Sequence, residues 1–181
     1  LYRHIRTSKE IIRNLLNDYN EEYKELIVFC QENKQISFEM YINNIYKKAL
    51  LLSAASYFEF TITKIIHDYV AETSQNNMEL IAFVDNKTLN RQYHTLFNWK
   101  ENNANQFFGA FGESLKLSAK NMIKERGLID AEVAFMEIGR ERNNLVHRNY
   151  VEAVVNSTFE EIYEKYLRAC QFIEFLAELF S

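Results

Sequence analysis

"ALLLSAASYFEF", residues 49–60, is the stretch whose reading decides the fold. It is apolar almost throughout, and nothing in it breaks a helix. The small residues Ala49, Ala54 and Ala55 would let a second helix pack closely. Toward the N-terminus the helical pattern extends back to Ser37, a residue type that caps helices, with Glu39 placed in the first turn. Toward the C-terminus it continues to about Glu72, where "TSQNN" at 73–77 reads as a turn. The longest element of the chain is therefore a buried helix.

The remaining chain extends this all-α reading. Proline is absent and glycine occurs four times in 181 residues, too little punctuation for parallel α/β units. Apolar residues make up 48% and aromatics 14%, enough to bury a core. Before the long helix, Ile5, Ile12, Leu15, Leu16, Tyr19, Tyr23, Leu26, Ile27 and Cys30 recur at helical spacing, predicting a helix over 2–32. After it, short helices are expected over Met78–Val84 and Leu89–Asn98, then one or two more from Phe107 until Gly127 stops them. Asp130 is expected to cap the next helix, and "VEAVVNS" to form a mildly strand-like connector. Thr158 with Glu161 forms a T-x-x-E capping box that opens the last helix, which runs to Phe180. No repeat or linker divides the chain. It reads as a single domain, with 1–35 an N-terminal helix and 36–181 a bundle.

The net charge of −4 rules out a global basic field. Any RNA contact has to come from a local basic patch. Cys30 and Cys170 share no metal-type spacing and read as reduced core residues of a cytosolic protein, with a disulfide between them as the alternative. No run of about 18 apolar residues suggests a membrane span, and the opening residues do not resemble a secretory signal. A cytoplasmic location without membrane attachment is the expectation.

The chemistry concentrates in "RERNNLVHRNY", residues 140–150. On a helical wheel Phe135, Ile138, Leu145 and Val146 share one arc, and Arg142 falls in its middle. Leu52, Ala55, Ile62 and Ile66 mark the inner stripe of the long helix, and Glu59 falls in mid-stripe. A buried charge without a partner is costly, so the economical expectation is that Glu59 and Arg142 meet. His147 stands one turn after Asn143 on a neighbouring face. Guanidinium, carboxamide and imidazole then line one groove near a helix end. A purely structural ion pair that fixes helix register is the competing reading.

Arg142-Asn143-x-x-x-His147 resembles the R-x4–6-H signature of HEPN domains, with the polar residue that family favours after the arginine. Arg140 also stands within the allowed spacing; Arg142 is preferred because Asn143 follows it. "LLLSAASYFEF", "RQYHTLFNWKENNANQFFGAFG", "FMEIGRERNNLVHRNY" and "TFEEIYEKYLRACQFIEFL" resemble, in order, segments of the RiboL-PSP branch, over about residues 40–180. The resemblance implies an up-and-down bundle with two long antiparallel helices and shorter additional ones. It implies a homodimer formed through the motif helices. It further implies a metal-independent endoribonuclease of toxin–antitoxin, phage-defence or RNA-processing systems, with an antitoxin or defence protein as a further partner. Some members place a tyrosine two residues after the histidine; here Asn149 holds that place and Tyr150 follows.

Cleavage of RNA by its own 2′-hydroxyl suits such a site. His147 would act as base or acid, Arg142 would clamp phosphate oxygens, and Asn143 would orient His147 or donate to the phosphate. Glu59 would hold Arg142, and Arg140, Arg148 and Lys100 would add phosphate contacts. No metal-ligand cluster and no cofactor motif is present, so neither is expected. Phe97, Trp99, Phe107, Phe108 and Phe111 could stack bases, but ordinary core packing is the simpler expectation. The alternative function is a non-catalytic HEPN module that binds RNA or a nucleotide, or scaffolds a partner.

Overall fold

The computed structural model describes residues 18–90, 92–147 and 153–181. Its helices are α1 (18–32), α2 (Ile36–Thr73), α3 (Met78–Val84), α4 (Asn105–Gly109), α5 (Glu113–Glu125), α6 (Ile129–His147) and α7 (Phe159–Leu179). Among the described residues there is no strand. The all-α expectation holds, and 153–157, the described part of the connector read as strand-like, is irregular. The part of the first predicted helix before residue 18 lies outside the described residues.

The local rules explain most boundaries. Lys34 adopts a left-handed φ of 55°, and the Gln35 amide donates to the Cys30 carbonyl at 2.8 Å, closing α1. The chain re-enters a helix at once, and the Gln35 carbonyl accepts from Phe38 and Glu39. Ser37 therefore lies inside the first turn of α2 instead of capping it. Asp130 is likewise inside α6, one residue past its start, where its charge still complements the helix dipole. Gly127 stops α5 at φ 67°, with the Leu128 amide bonded to the Ile123 carbonyl at 2.9 Å. The capping box forms in both directions. The Thr158 amide donates to Glu161 Oε2 at 2.8 Å, and the Glu161 amide to Thr158 Oγ1 at 3.1 Å.

The expected helix over Leu89–Asn98 is absent. A π-turn spans Asp85–Leu89 and a single 3-10 turn spans Tyr93–Thr95. Side chains take the carbonyls that a helix would use. Trp99 Nε1 donates to the His94 carbonyl at 2.8 Å, and Gln106 Nε2 to the Thr95 carbonyl at 2.7 Å.

The chain forms two compact units. The first comprises Leu1–Tyr57 and Glu141–Glu164, and its described residues supply α1, most of α2, the end of α6 and the start of α7. Tyr23 stacks on Phe159 with centroids 4.2 Å apart, and Ile42, Leu50, Val155 and Ile162 are buried in the same unit. Burial, with the Glu160 and Glu39 charges, raises the Tyr23 phenol above its ordinary pKa. At the α1–α2 corner Phe29, Ile36, Phe38, Met40 and Tyr41 stay exposed.

The second unit comprises Phe58–Arg140 and Lys165–Ser181. Its core is a continuous set of aromatic rings. Phe97 stacks on Phe107 at 4.9 Å and meets Phe135 edge-on at 5.1 Å; Phe135 reaches Phe172, and Phe107 reaches Phe180. The rings of Phe97, Phe107 and Phe108 are buried as core residues, as simple packing predicts. α2 is long and apolar enough to cross a membrane by length and composition alone, but 56% of its most apolar window is buried within the protein. Cys30 and Cys170 are free thiols; Cys30 is buried as expected of a core residue, whereas Cys170 is only partly buried.

Candidate active site

Three of the expected site residues lie together at the end of α6, in the first unit. The wheel placed Phe135, Ile138 and Leu145 inward, and all three are buried. Val146, placed in the same arc, is 52% exposed. Arg142 is half-buried, at the edge of the apolar face. Its Nη1 donates to Asn143 Oδ1 at 3.1 Å. With its oxygen so engaged, the carboxamide keeps its two N–H donors for another partner. Among the described residues no hydrogen bond joins Asn143 to His147. Of the two tasks expected of Asn143, orienting the imidazole is therefore not observed, while donation outward is open to it. His147 is the last residue of α6 and its ring is exposed. An arginine, an amide donor and an accessible imidazole thus sit within a turn and a half of helix.

The other expected residues fall elsewhere. Arg140 is not free for phosphate, as the sequence suggested. Its Nε donates to the Trp99 carbonyl at 3.0 Å, and its Nη2 donates to the Glu101 carbonyl at 3.3 Å and to Asn102 Oδ1. The guanidinium pins the polar 99–102 loop to α6 within the second unit. Lys100 is on that loop, and is exposed. Glu59 is half-buried in the second unit, while Arg142 belongs to the first. Their pairing is carried by the sequence pattern alone. Arg148 and Tyr150 lie outside the described residues.

Sequence reasoning missed two residues that build the approach to this helix. Gly139 lies against the Trp99 indole so closely that a Cβ would overlap the ring. A glycine inside a helix costs about 1 kcal/mol relative to alanine, which is itself a signal of close approach. Glu132, in the first turn of α6, is buried and accepts the Ala104 amide through Oε1 at 2.8 Å. Burial raises its pKa above the ordinary carboxylate value, and the Ala104 hydrogen bond offsets only part of this. Among the described residues, no group of three or more His, Cys, Asp or Glu is placed to hold a metal ion.

The all-α fold agrees with the resemblance to HEPN domains. Residues 17–181 match the family model described as RiboL-PSP-HEPN, and the chain belongs to that family. No curated protein and no solved structure matches it. Membership suggests either a ribonuclease or a nucleotide-binding module.

Proposed function

We propose that the chain is a metal-independent endoribonuclease and acts as a toxin or anti-phage effector. The observation that carries this reading is the cluster at the end of α6: Arg142 bonded to Asn143, with an accessible His147 one turn on. The RNA 2′-oxygen attacks the adjacent phosphorus. The bond to the 5′-oxygen breaks, leaving a 2′,3′-cyclic phosphate and a 5′-hydroxyl. Arg142 neutralises the phosphorane oxygens, and the Asn143 amide donates beside it. His147 takes the 2′-hydroxyl proton or supplies one to the leaving oxygen. One imidazole cannot fill both roles at once. A second copy of the chain, meeting the first across a two-fold axis at the motif helices, supplies the other. Glu59, Lys100, Arg148 and Tyr150 remain supporting candidates on sequence grounds.

Incubation of wild type, His147→Ala and Arg142→Ala with mixed RNAs in EDTA tests this reading. Cyclic-phosphate ends from wild type only are expected. Normal cleavage by His147→Ala would overturn the assignment. RNA binding without cleavage by any form, and without toxicity on expression in cells, would favour the non-catalytic module. A thermal melt accompanies Arg142→Ala, because a half-buried arginine also contributes to folding.

A further inference from the structure

His147 is the last residue of α6, so the turn that carries it has helix on one side only. The final carbonyls of a helix lack intrahelical donors, and the last turn frays unless the chain beyond it is held. Between Ala153 and Ser157 that chain forms one wall of a cavity of about 260 Å³, with Glu141, Asn144 and Leu145 of α6 as the other. A connector that stands off the helix across a cavity is not clamped to it by close packing alone. Two side chains tie it down. Lys47 Nζ, from α2, donates to the Val155 carbonyl at 2.9 Å. Ser157 Oγ donates to Glu141 Oε1 at 3.2 Å, and Glu141 directly precedes Arg142. All of these residues belong to the first unit. Lys47 isolates the effect of a tie: among the described residues its ammonium has no ion-pair partner, and the Val155 carbonyl is its hydrogen-bond acceptor.

We infer that Lys47 is a positioning residue of the proposed active site. By holding the connector at Val155 it limits how far the chain after His147 can swing, and so keeps the last turn of α6 wound beneath the imidazole. The inference rests on the ribonuclease reading and adds what keeps that site in place. An ammonium on a four-carbon stem reaches from α2 to a backbone carbonyl, and the charge strengthens that bond. Lys47 does not touch RNA in this account. It acts through His147, so its loss falls on the chemical step and not on substrate binding. A catalytic group misplaced by about 1 Å costs up to about 10²-fold in rate.

Lys47→Met keeps an unbranched stem and removes the donor, and Lys47→Arg keeps a donor. Amide hydrogen exchange is followed over residues 144–147 and, as an internal reference, over 169–176 of α7. In Lys47→Met, exchange over 144–147 should quicken at least about 10-fold with the reference unchanged. On RNA, kcat should fall at least about 10-fold while KM stays within about 2-fold, and Lys47→Arg should stay close to wild type in both readouts. Unchanged exchange overturns the inference, as does faster exchange with unchanged kcat, or Lys47→Arg behaving like Lys47→Met. A raised KM at constant kcat also overturns it, because Lys47 would then contact RNA. If the reference quickens equally, Lys47 supports the fold at large and the inference fails. The exchange arm needs no cleavage, so the two readings fail separately. A wild type that cuts no RNA sinks the ribonuclease reading, while exchange still decides whether Lys47 holds the end of α6. A wild type that cuts, with Lys47→Met unchanged in both readouts, sinks this inference alone.

Discussion

Gly139 controls where Trp99 sits. Any Cβ at this position would overlap the indole, and the overlap is with the ring itself, not the end of a flexible chain. Arg140, one residue on, holds the Trp99 carbonyl. Gly139→Ala should therefore expel the ring and strain the 99–102 loop, costing about 1–3 kcal/mol despite the better helix propensity of alanine. Trp99 is the single tryptophan, so its fluorescence reports this site alone. A red-shifted emission and a lower Tm are expected; an unchanged spectrum would refute the close-approach account. Glu132 gives a pH-dependent counterpart. Its folded pKa is raised, so its favourable contribution is full below the ordinary value of 4.5 and is lost as pH rises through the folded pKa. Glu132→Gln keeps an acceptor for the Ala104 amide without burying a charge. Its Tm should equal or exceed that of wild type at pH 7, and the advantage should vanish on acidification below pH 4.5. A Gln variant less stable at pH 7 than at pH 4, relative to wild type, would contradict this. The sequence signals Gly139 only as a glycine within a helix and does not signal Glu132, because the partners of both, Trp99 and Ala104, are distant in sequence. Arg142, Asn143 and His147 were legible, because one helical wheel relates them.

Helix ends show the same division between local and distant causes. The Thr158–Glu161 box is a purely local device, and it forms as its four residues predict. Thr158→Ala removes the acceptor for the Glu161 amide at the start of α7 and should cost about 1 kcal/mol. A chemical-denaturation midpoint reads this, with the m-value unchanged; no shift would mean that the packing of Phe159 alone sets the helix start. Ser37 and Asp130 each lie two residues past the cap position they were expected to fill. For Ser37 the reason is that the left-handed Lys34 ends α1 so close to α2 that Gln35, whose carbonyl accepts from Phe38 and Glu39, takes the cap position. A left-handed lysine carries no sequence signature, whereas Gly127, in the same conformation, does. Leu89–Asn98 fails as a helix because Trp99 and Gln106 claim the carbonyls of residues 94 and 95. Periodicity could not reveal this, since the competing donors lie beyond the segment.

At the scale of the whole molecule, the proposed chemistry asks for more than one chain. Transfer of two protons needs a base and an acid, and the end of α6 offers one exposed imidazole per copy. If the site is shared across a two-fold axis, a mixed dimer of wild type and His147→Ala has one histidine where two are required. When equal amounts of the two forms are unfolded and refolded together, about a quarter of the dimers are pure wild type and about half are mixed. Activity per wild-type chain is then expected to fall by about half, so that the mixture keeps about a quarter of the activity of an all-wild-type sample. If each histidine works alone, mixed dimers contribute in full for their one good copy, and the mixture keeps about half. The measurement is the initial rate of cyclic-phosphate formation as the mixing ratio is varied. A quadratic dependence on the wild-type fraction supports the shared site, and a linear one assigns the whole reaction to a single chain. The same series with Gly139→Ala, a change outside the cluster, controls for loss of folded protein: its mixtures should follow the linear law.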